Sequence, residues 1–409
     1  MALSKLWVIA WRDLGRNRRR SFLSLLAVAL GLGLLILLNG YIAGVLEDSL
    51  QNGIRLETGH VQIRAASYQR EKLSLLAKDL LADSDALAAR ASAMAEVKAA
   101  APVLWAGGIL NTADDSAGVQ IYGADTASAV FAPIRDALAG GEWLAADDRG
   151  GILIGKSLAN SMGVGVGQRV SLSLVNAGGQ ADEGIFTVRG LFSTGVGSYD
   201  NGAVFMPLAK AQAFTGAGDD ASAILIMLHR QDDAERVAAA LQGPGTVALT
   251  WRDLNALVLQ TIQTGMSFYV LIDLIVILVV AVIIANTLLM AVFERIREMG
   301  ILAALGMKGR QIMLMLVIEA AILGLAGIAV GIVLGAAGVG YLATHGIYIG
   351  DKVASTAGSI ALGNTLYARF VPGTFAALSG WTLVIILLAS LYPAWFAARL
   401  EPVKALHNL

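Results

Sequence analysis

The sequence contains no cysteine, which excludes disulfides, zinc–thiolate sites and thiol catalysis. Histidine is nearly as scarce: His60, His229, His345 and His407 are scattered, and none lies at metal-ligand spacing from a second donor. Charge is thin as well, with 15% charged residues and a net charge of −1, so no bulk attraction to nucleic acid is expected. What fills the 409 residues instead is apolar side chain, 56% of the total. That is too apolar for an ordinary soluble protein and too charged for one that is membrane throughout. The composition therefore implies a membrane bundle joined to a soluble domain.

The bundle organises the chain. Residues 265–290 form an apolar run, residues 291–311 a charged turn, and residues 312–340 a second run. At 1.5 Å per residue, an apolar helix of about 20 residues matches a hydrocarbon layer of ~30 Å. Residues 21–45 and 374–393 are of the same kind, which gives four expected spans. The run 21–45 follows a basic segment like a signal peptide, but no clean small-residue cleavage site ends it, so it reads as an uncleaved anchor. Before it, Leu3, Leu6, Trp7, Ala10, Trp11 and Leu14 recur at helical spacing, so residues 1–20 read as an amphipathic helix along the membrane surface. Arg16, Arg18, Arg19 and Arg20 close it. The 291–311 turn and the tail 394–409, with Arg399 and Lys404, are basic too. Four spans put these three segments on one side, which the positive-inside rule makes the cytoplasm. Residues 46–264 and the short loop 341–373 then lie outside it.

Residues 46–264 alternate short strands with helices and long turns. His60–Arg64, Val119–Tyr122, Ile152–Gly155, Val170–Val175, Phe186–Phe192, Ala203–Met206 and Ile224–Leu228 read as strands. Ser84–Val97, Lys156–Met162, Leu208–Phe214 and Asp232–Leu241 read as helices. This is an α+β pattern, with a β-rich subdomain expected at about 141–216, inserted in the rest. Trp251–Gln260 is expected to run as one helix into the second span.

Within the spans the polar residues stand out. Asn39, Asp273 and Glu319 need partners in lipid: an interhelical hydrogen bond or polar lock is one role, gating or substrate passage the other. Gly327, Gly331 and Gly335 form one stripe at spacing four, a flat face for close helix packing, and Gly40 and Gly44 repeat the spacing.

Gly150–Ser157 (GGILIGKS) formally matches a phosphate-binding loop. A working loop follows a buried strand and turns freely through its variable residues. Here AADDR precedes the match, and Gly151, Ile152, Leu153 and Ile154 are themselves the strand. The match is rejected. The acids of the domain cluster in glycine-rich turns, with no Ser/His/Asp spacing for a hydrolase.

The strongest signal is FERIREMGILAALGMKGRQ, Phe293–Gln311. It starts with Glu294, Arg295, Arg297 and Glu298, continues with an apolar face of Ile301, Leu302 and Leu305, and ends its helix at Gly306. A short amphipathic helix hung on two spans suits the groove of a cytoplasmic partner; its plainer role is a topogenic loop. ERIREMGILAALGMKGRQI resembles the cytoplasmic turn of FtsX/MacB-type (type VII) ABC transporter permeases. YPAWFAARLEPVKAL, ILIGKSLANSMGVGVGQRVSL, FTVRGLFSTGVGSYDNGAVFMPLAKAQ and WRDLGRNRRRSFLSLLAVALG resemble further segments of that family. Within it the chain is most similar to the LolC/LolE lipoprotein-releasing permeases.

The resemblance implies an α-helical inner-membrane protein with four transmembrane helices, both termini cytoplasmic, and a large α+β periplasmic domain inserted between the first and second helices. It implies a non-enzymatic subunit that binds no cofactor or metal itself and pairs with a second permease subunit, as a homo- or heterodimer. ATP and Mg are expected on a separate cytoplasmic ABC ATPase dimer, and membrane lipids and a periplasmic lipoprotein carrier or adaptor as further partners. Glu294, Arg297, Glu298, Ile301, Leu302, Leu305 and Gly306 would form the ATPase-coupling helix. Asn39, Met266, Tyr269 and Asp273 would border a substrate cavity, and Gly327, Gly331 and Gly335 would pack helices. Ser198, Tyr199 and Asp200, in the loop Ser193–Gly202, are the nearest counterpart of a carrier-docking loop, although Asn201-Gly202 also reads as a hairpin turn. The implied function is extraction of lipoproteins or a similar lipidated substrate from the inner membrane. Its alternatives are MacB-like export of peptides, drugs or siderophores, and FtsX-like signalling to a cell-wall hydrolase.

Overall fold

The long apolar runs become helices that outreach the membrane, and the stretch between the first two becomes a single sheet with helices on both faces. The computed structural model describes Arg12, Arg16 and residues 18–69, 72–350, 353–354 and 361–399. Most of the expected amphipathic helix 1–20 and the end of the tail with Lys404 lie outside those residues; residues 354–367, whose composition also suggests a small helix, are described at 354 and 361–367, where 361–367 are not helical and hold a short strand at Thr365–Leu366. In chain order the elements begin with α1 (Arg18–Gly53), a π-helical turn (Ile54–Thr58), β1 (Val61–Ala65), α2 (Ser84–Ser92), β2 (Val97–Asn111) and β3 (Ser116–Ala124). There follow α3 (Ala132–Asp136), β4 (Leu138–Gly141), β5 (Gly151–Gly155), α4 (Lys156–Met162), β6 (Arg169–Val175) and β7 (Ala181–Phe192). Next come α5 (Gly197–Asp200), β8 (Ala203–Pro207), α6 (Leu208–Thr215), β9 (Ala223–Leu228), α7 (Ala234–Leu241), β10 (Thr246–Thr250) and α8 (Trp251–Leu254). The chain ends with α9 (Ala256–Glu294), α10 (Ile296–Ala304), α11 (Gly309–His345), a small ribbon of β11 (Ile347–Tyr348) and β12 (Thr365–Leu366), and α12 (Pro372–Ala398). Two units result, one helical and one α+β, the second drawn from Leu46–Ile262 and Tyr348–Leu366.

In the helical unit, four helices among the described residues are long and apolar enough to cross a membrane: α1 with its π-turn, α9, α11 and α12. The helix α1 has 36 residues and α9 has 39. Either exceeds the ~20 residues that a hydrocarbon layer requires, so both extend beyond the apolar runs. Their shared core holds Val28, Leu32 and Ile36 of α1, Ile277, Val280 and Ile284 of α9, Ile328 of α11 and Ile386 of α12. Glycine makes the closest approach possible. A Cβ on Gly327 would come within 2.6 Å of Val28, and one on Gly335 within 2.6 Å of Ile36; Gly331 faces Ala29 and Leu32. Pro393 does not end the last helix. It lies inside α12, which runs on to Ala398. Proline removes one helical hydrogen bond, which a membrane bundle tolerates when neighbouring groups satisfy the freed carbonyl.

The α+β unit is built on one ten-stranded sheet in the order β10-β1-β9-β2-β3-β8-β5-β7-β4, with β6 pairing β2 and β7. β3/β8 and β5/β7 are parallel and the other pairs antiparallel. Its central strands are buried on both faces. Val103, Trp105, Tyr122, Leu153 and Phe205 point to one core, which α2 and α7 cover through Ala91 and Val237. Leu104, Ile121, Ile152, Ile154 and Val204 point to the other, covered by α4 and α6 through Leu158 and Phe214. This corrects the expected two subdomains. β8 lies inside 141–216 yet pairs β3 outside it, and β6 pairs β2, so no break in the sheet follows those limits. The density of strands and glycine in 141–216 therefore marks part of one sheet and not a separate body.

The seven expected strands correspond to β1, β3, β5, β6, β7, β8 and β9. β2, β4 and β10 were missed. β2 is the longest, but VKAAAPVLWAGGILN alternates no polar residues, because both of its faces are covered. The expected helix Trp251–Gln260 breaks at Asn255, which leaves α8 and α9 as separate elements. GGILIGKS is strand β5 followed by α4, with Asp148 accepting from the amides of Gly150 and Gly151 at 3.0 and 2.8 Å. Burial opposes the charge on Asp148, but those amides and Arg189 at 2.9 Å hold its carboxyl below the usual range. The phosphate-loop glycines thus serve a strand.

Candidate functional site

The charged turn between α9 and α11 is built around a break. Arg295 (φ −115, ψ 19) leaves helical geometry between Glu294, the last residue of α9, and Ile296, the first of α10. Nine residues later α10 stops, and Gly306 (φ +92) takes the left-handed conformation that only glycine adopts freely. The amide of Met307 then donates to the Leu302 carbonyl at 3.0 Å. Gln311 Oε1 accepts from the Lys308 amide at 3.0 Å and opens α11. The inward side of α10 is Met299 and Gly300, packed in a small core with Val292, Ile312, Leu316, Ala394 and Ala397.

Ion pairs fix the turn to its surroundings. Arg20 Nη1 meets Glu294 Oε2 at 2.5 Å, and Arg16 Nη2 meets Glu298 Oε1 at 2.5 Å. Arg295 Nε donates to Glu298 Oε2 at 3.2 Å, while its Nη1 lies 3.9 Å from Glu319 Oε2 on α11. The Arg295 and Glu319 side chains are 8% and 2% exposed, so this last pair is buried. Partial burial disfavours the charge on Glu298, but the hydrogen bonds from Arg16 and Arg295 outweigh it and hold the carboxyl below its usual range.

The outward side of α10 is apolar in part. Leu305 is 80% exposed and Ile301 46%. Arg297 and Gly306 are exposed, and Leu302 is half-buried. The expected apolar face is therefore really Ile301 and Leu305. Among the described residues, no three His, Asp or Glu side chains are arranged to hold a metal ion. Sequence reasoning singled out Glu319 but gave it no partner, and it assigned Arg295 no role. The alternating Glu294, Arg295, Glu298 spacing was the available signal.

Of the residues expected beside a substrate cavity, two meet. Asn39 Nδ2 donates to Asp273 Oδ1 at 2.9 Å and to the Leu35 carbonyl at 3.0 Å. This is an interhelical hydrogen bond between α1 and α9. Tyr269 is half-buried and Met266 is 45% exposed on the same helix α9.

The loop Ser193–Gly202 turns two of its three expected docking residues inward. Tyr199 and Asp200 are buried, and Ser198 is half-buried. Asp200 accepts from the Thr194 and Gly195 amides at 2.9 and 3.2 Å and from the Thr194 and Ser193 hydroxyls at 2.7 and 3.3 Å. Tyr199 donates to the Leu56 carbonyl at 3.1 Å and packs against Tyr122, Phe192 and Phe205. Burial pushes the Asp200 carboxyl up despite its four donors, and burial likewise raises the Tyr199 phenol. Asn201-Gly202 is not a hairpin either: the chain turns through α5 into β8, which pairs β3 and β5 rather than β7. The loop's polar residues point inward because its own amides need acceptors.

Two family models match the chain. The MacB-like periplasmic core domain matches residues 21–243, and the FtsX-like permease C-terminal region matches residues 270–402. The lipoprotein-releasing system transmembrane protein LolC of Xylella fastidiosa (strain 9a5c) is 26% identical over 271 residues, 62% of this chain and 64% of that protein. The chain thus matches less than two thirds of the length of its LolC relatives. The macrolide export ATP-binding/permease protein MacB of Chlorobium luteolum is 36% identical over 123 residues, 30% of this chain and 16% of that one. The crystal structure of the periplasmic region of MacB from Actinobacillus actinomycetemcomitans superposes with a TM-score of 0.36 at 13% identity, over 52% of this chain and 97% of that one.

Proposed function

The chain belongs to the family of ABC transporter permeases that joins a MacB-like periplasmic core domain to an FtsX-like C-terminal region, and from that premise we propose that it is the membrane subunit through which a cytoplasmic ABC ATPase dimer drives motion of the α+β domain in the periplasm. ATP and Mg belong to that separate ATPase. Two copies, or this chain and a second permease, form the working pair, embedded in the inner membrane with both termini cytoplasmic.

The observation that carries the reading is α10: an ion-paired helix at the break between two spans, exposing Ile301 and Leu305 where nothing in the chain covers them among the described residues. A cytoplasmic ATPase groove is the surface that would bury them. Glu294, Arg297, Glu298 and Gly306 rim that contact, and Leu302 supports it. Co-purification of the tagged chain with its ATPase tests this. Leu305→Asp is expected to lower ATPase capture at least tenfold with membrane insertion retained; unchanged capture sinks the assignment.

The substrate we propose is a lipoprotein or a similar lipidated molecule extracted from the inner membrane, in keeping with the LolC relatives. Withdrawing an acyl chain from lipid costs about 0.8 kcal/mol per CH₂, so several chains demand an external energy source. Asn39, Met266, Tyr269 and Asp273 would border the route, and a periplasmic carrier would take the product. Photo-crosslinkers at Tyr269 should capture an acylated polypeptide. Capture of phospholipid alone, with normally sorted lipoproteins in a deletion strain, removes this substrate. MacB-like export is the second reading, favoured by the 36% identity to MacB; accumulation of a small exported compound in the deletion strain would select it.

A further inference from the structure

Arg295 is the most deeply placed cation of the turn, and it belongs to neither helix beside it. Its guanidinium, 8% exposed, bridges two carboxylates in different elements: Nε to Glu298, one turn into α10, and Nη1 to Glu319, within α11. Glu298 divides its oxygens in turn, Oε2 to Arg295 and Oε1 to Arg16. A buried pair of this kind is a poor source of stability, since desolvation offsets the attraction, but it fixes geometry. The apolar contact of α10 with the bundle, through Met299 in a small core with Val292, Ile312 and Leu316, has little directional preference. A guanidinium is a rigid planar fork. It cannot keep the 3.2 Å hydrogen bond to Glu298 and the 3.9 Å ion pair to Glu319 alike while α10 tilts against α11, so a change in tilt exchanges one arrangement for another.

We propose that Arg295, paired with Glu319, is the positioning residue that couples α10 to α11, so that force applied at α10 reaches the spans as a discrete shift. This rests on the reading of α10 as the ATPase-docking helix. Arg295 touches no nucleotide and no substrate; it acts through Glu319 and Glu298. A lysine in its place keeps the charge but loses the fork.

The test uses the full-length chain with its ATPase in lipid nanodiscs. The variants are Glu319→Gln and Arg295→Lys. Three quantities are measured: hydrogen exchange of the α10 amides without ATPase, ATPase capture, and permease-stimulated ATP hydrolysis. The expected result in both single variants is α10 exchange at least fivefold faster, capture within twofold of the parent, and stimulation at least tenfold lower. Stimulation within twofold of the parent in both single variants overturns the proposal. So does loss of capture in step with stimulation, since that means α10 has merely lost its fold. Failure of the docking reading is registered separately, as intact capture in Leu305→Asp.

Discussion

The turn Phe293–Gln311 and the loop Ser193–Gly202 look alike as sequence: short, glycine-bearing, carrying acids and one or two large side chains between apolar runs. Folded, they are opposites. The first leaves Leu305 80% exposed, while the second buries Tyr199 to 5% and Asp200 completely. What separates them is where the backbone finds partners. In the loop, the amides of Thr194 and Gly195 donate to the Asp200 carboxylate, which supplies the acceptors. In the turn, α10 forms its own helical hydrogen bonds, and Ile301 and Leu305 are left exposed. A polar residue in a loop is therefore evidence of contact with a partner only after the local amides have been accounted for.

The contrast can be broken most forcefully at Asp200. Asp200→Ala orphans two amides and two hydroxyls and is expected to cost roughly 3 kcal/mol, the upper range for buried donors left unmet, read as a large fall in the melting midpoint of the purified chain. An unchanged midpoint with loss of carrier binding would restore the docking loop. Tyr199→Phe removes one buried hydrogen bond, to Leu56, and is expected to cost about 1 kcal/mol. Leu305→Ser should shift stability by no more than about 0.5 kcal/mol, as for other exposed positions. A larger loss would mean that Leu305 packs within its own chain.

Much of this molecule is legible in its residues. Apolar runs of membrane length, the glycine stripe facing Val28 and Ile36, and strands with β-branched residues on both sides of a glycine turn all follow from short-range rules. The rest depends on pairing across the chain. β2 was invisible because Ala99, Ala100, Ala101 and Pro102 carry no alternation, and only pairing with β9 makes them a strand. At the turn, the types and spacing of Glu294, Arg297 and Glu298 were readable, as was the need of Glu319 for a partner. That Arg295 is the partner was not, because 24 positions of chain separate them and nothing local marks the approach. Asn39 and Asp273 stand 234 positions apart, and each announced itself only as a polar group in lipid.

The smallest effect is also the sharpest comparison, because the two regions differ in sign. Asp200 has its folded carboxyl raised above the ordinary 3.8 by burial, so the folded state holds its proton more tightly than the unfolded chain does. Its contribution is complete below pH 3.8 and is lost as pH rises through the folded value. At Glu298, Arg16 and Arg295 overcome the opposing effect of burial and hold the carboxyl below the ordinary 4.5. Its contribution is present above pH 4.5 and is lost as pH falls through the lowered value. Exposure of the Glu298 side chain, 46%, and of Arg16, 55%, lets solvent and salt screen that term, so its slope is the shallower and should flatten further in high salt. Melting midpoints of Asp200→Asn and Glu298→Gln, each measured against the parent from pH 3 upward, separate the two. The parent's advantage over Asp200→Asn should shrink as pH rises, and its advantage over Glu298→Gln should grow and then level off above 4.5. Slopes of the same sign would mean that the two carboxylates share one kind of environment, and the distinction between an inward loop and an outward turn would fail with them.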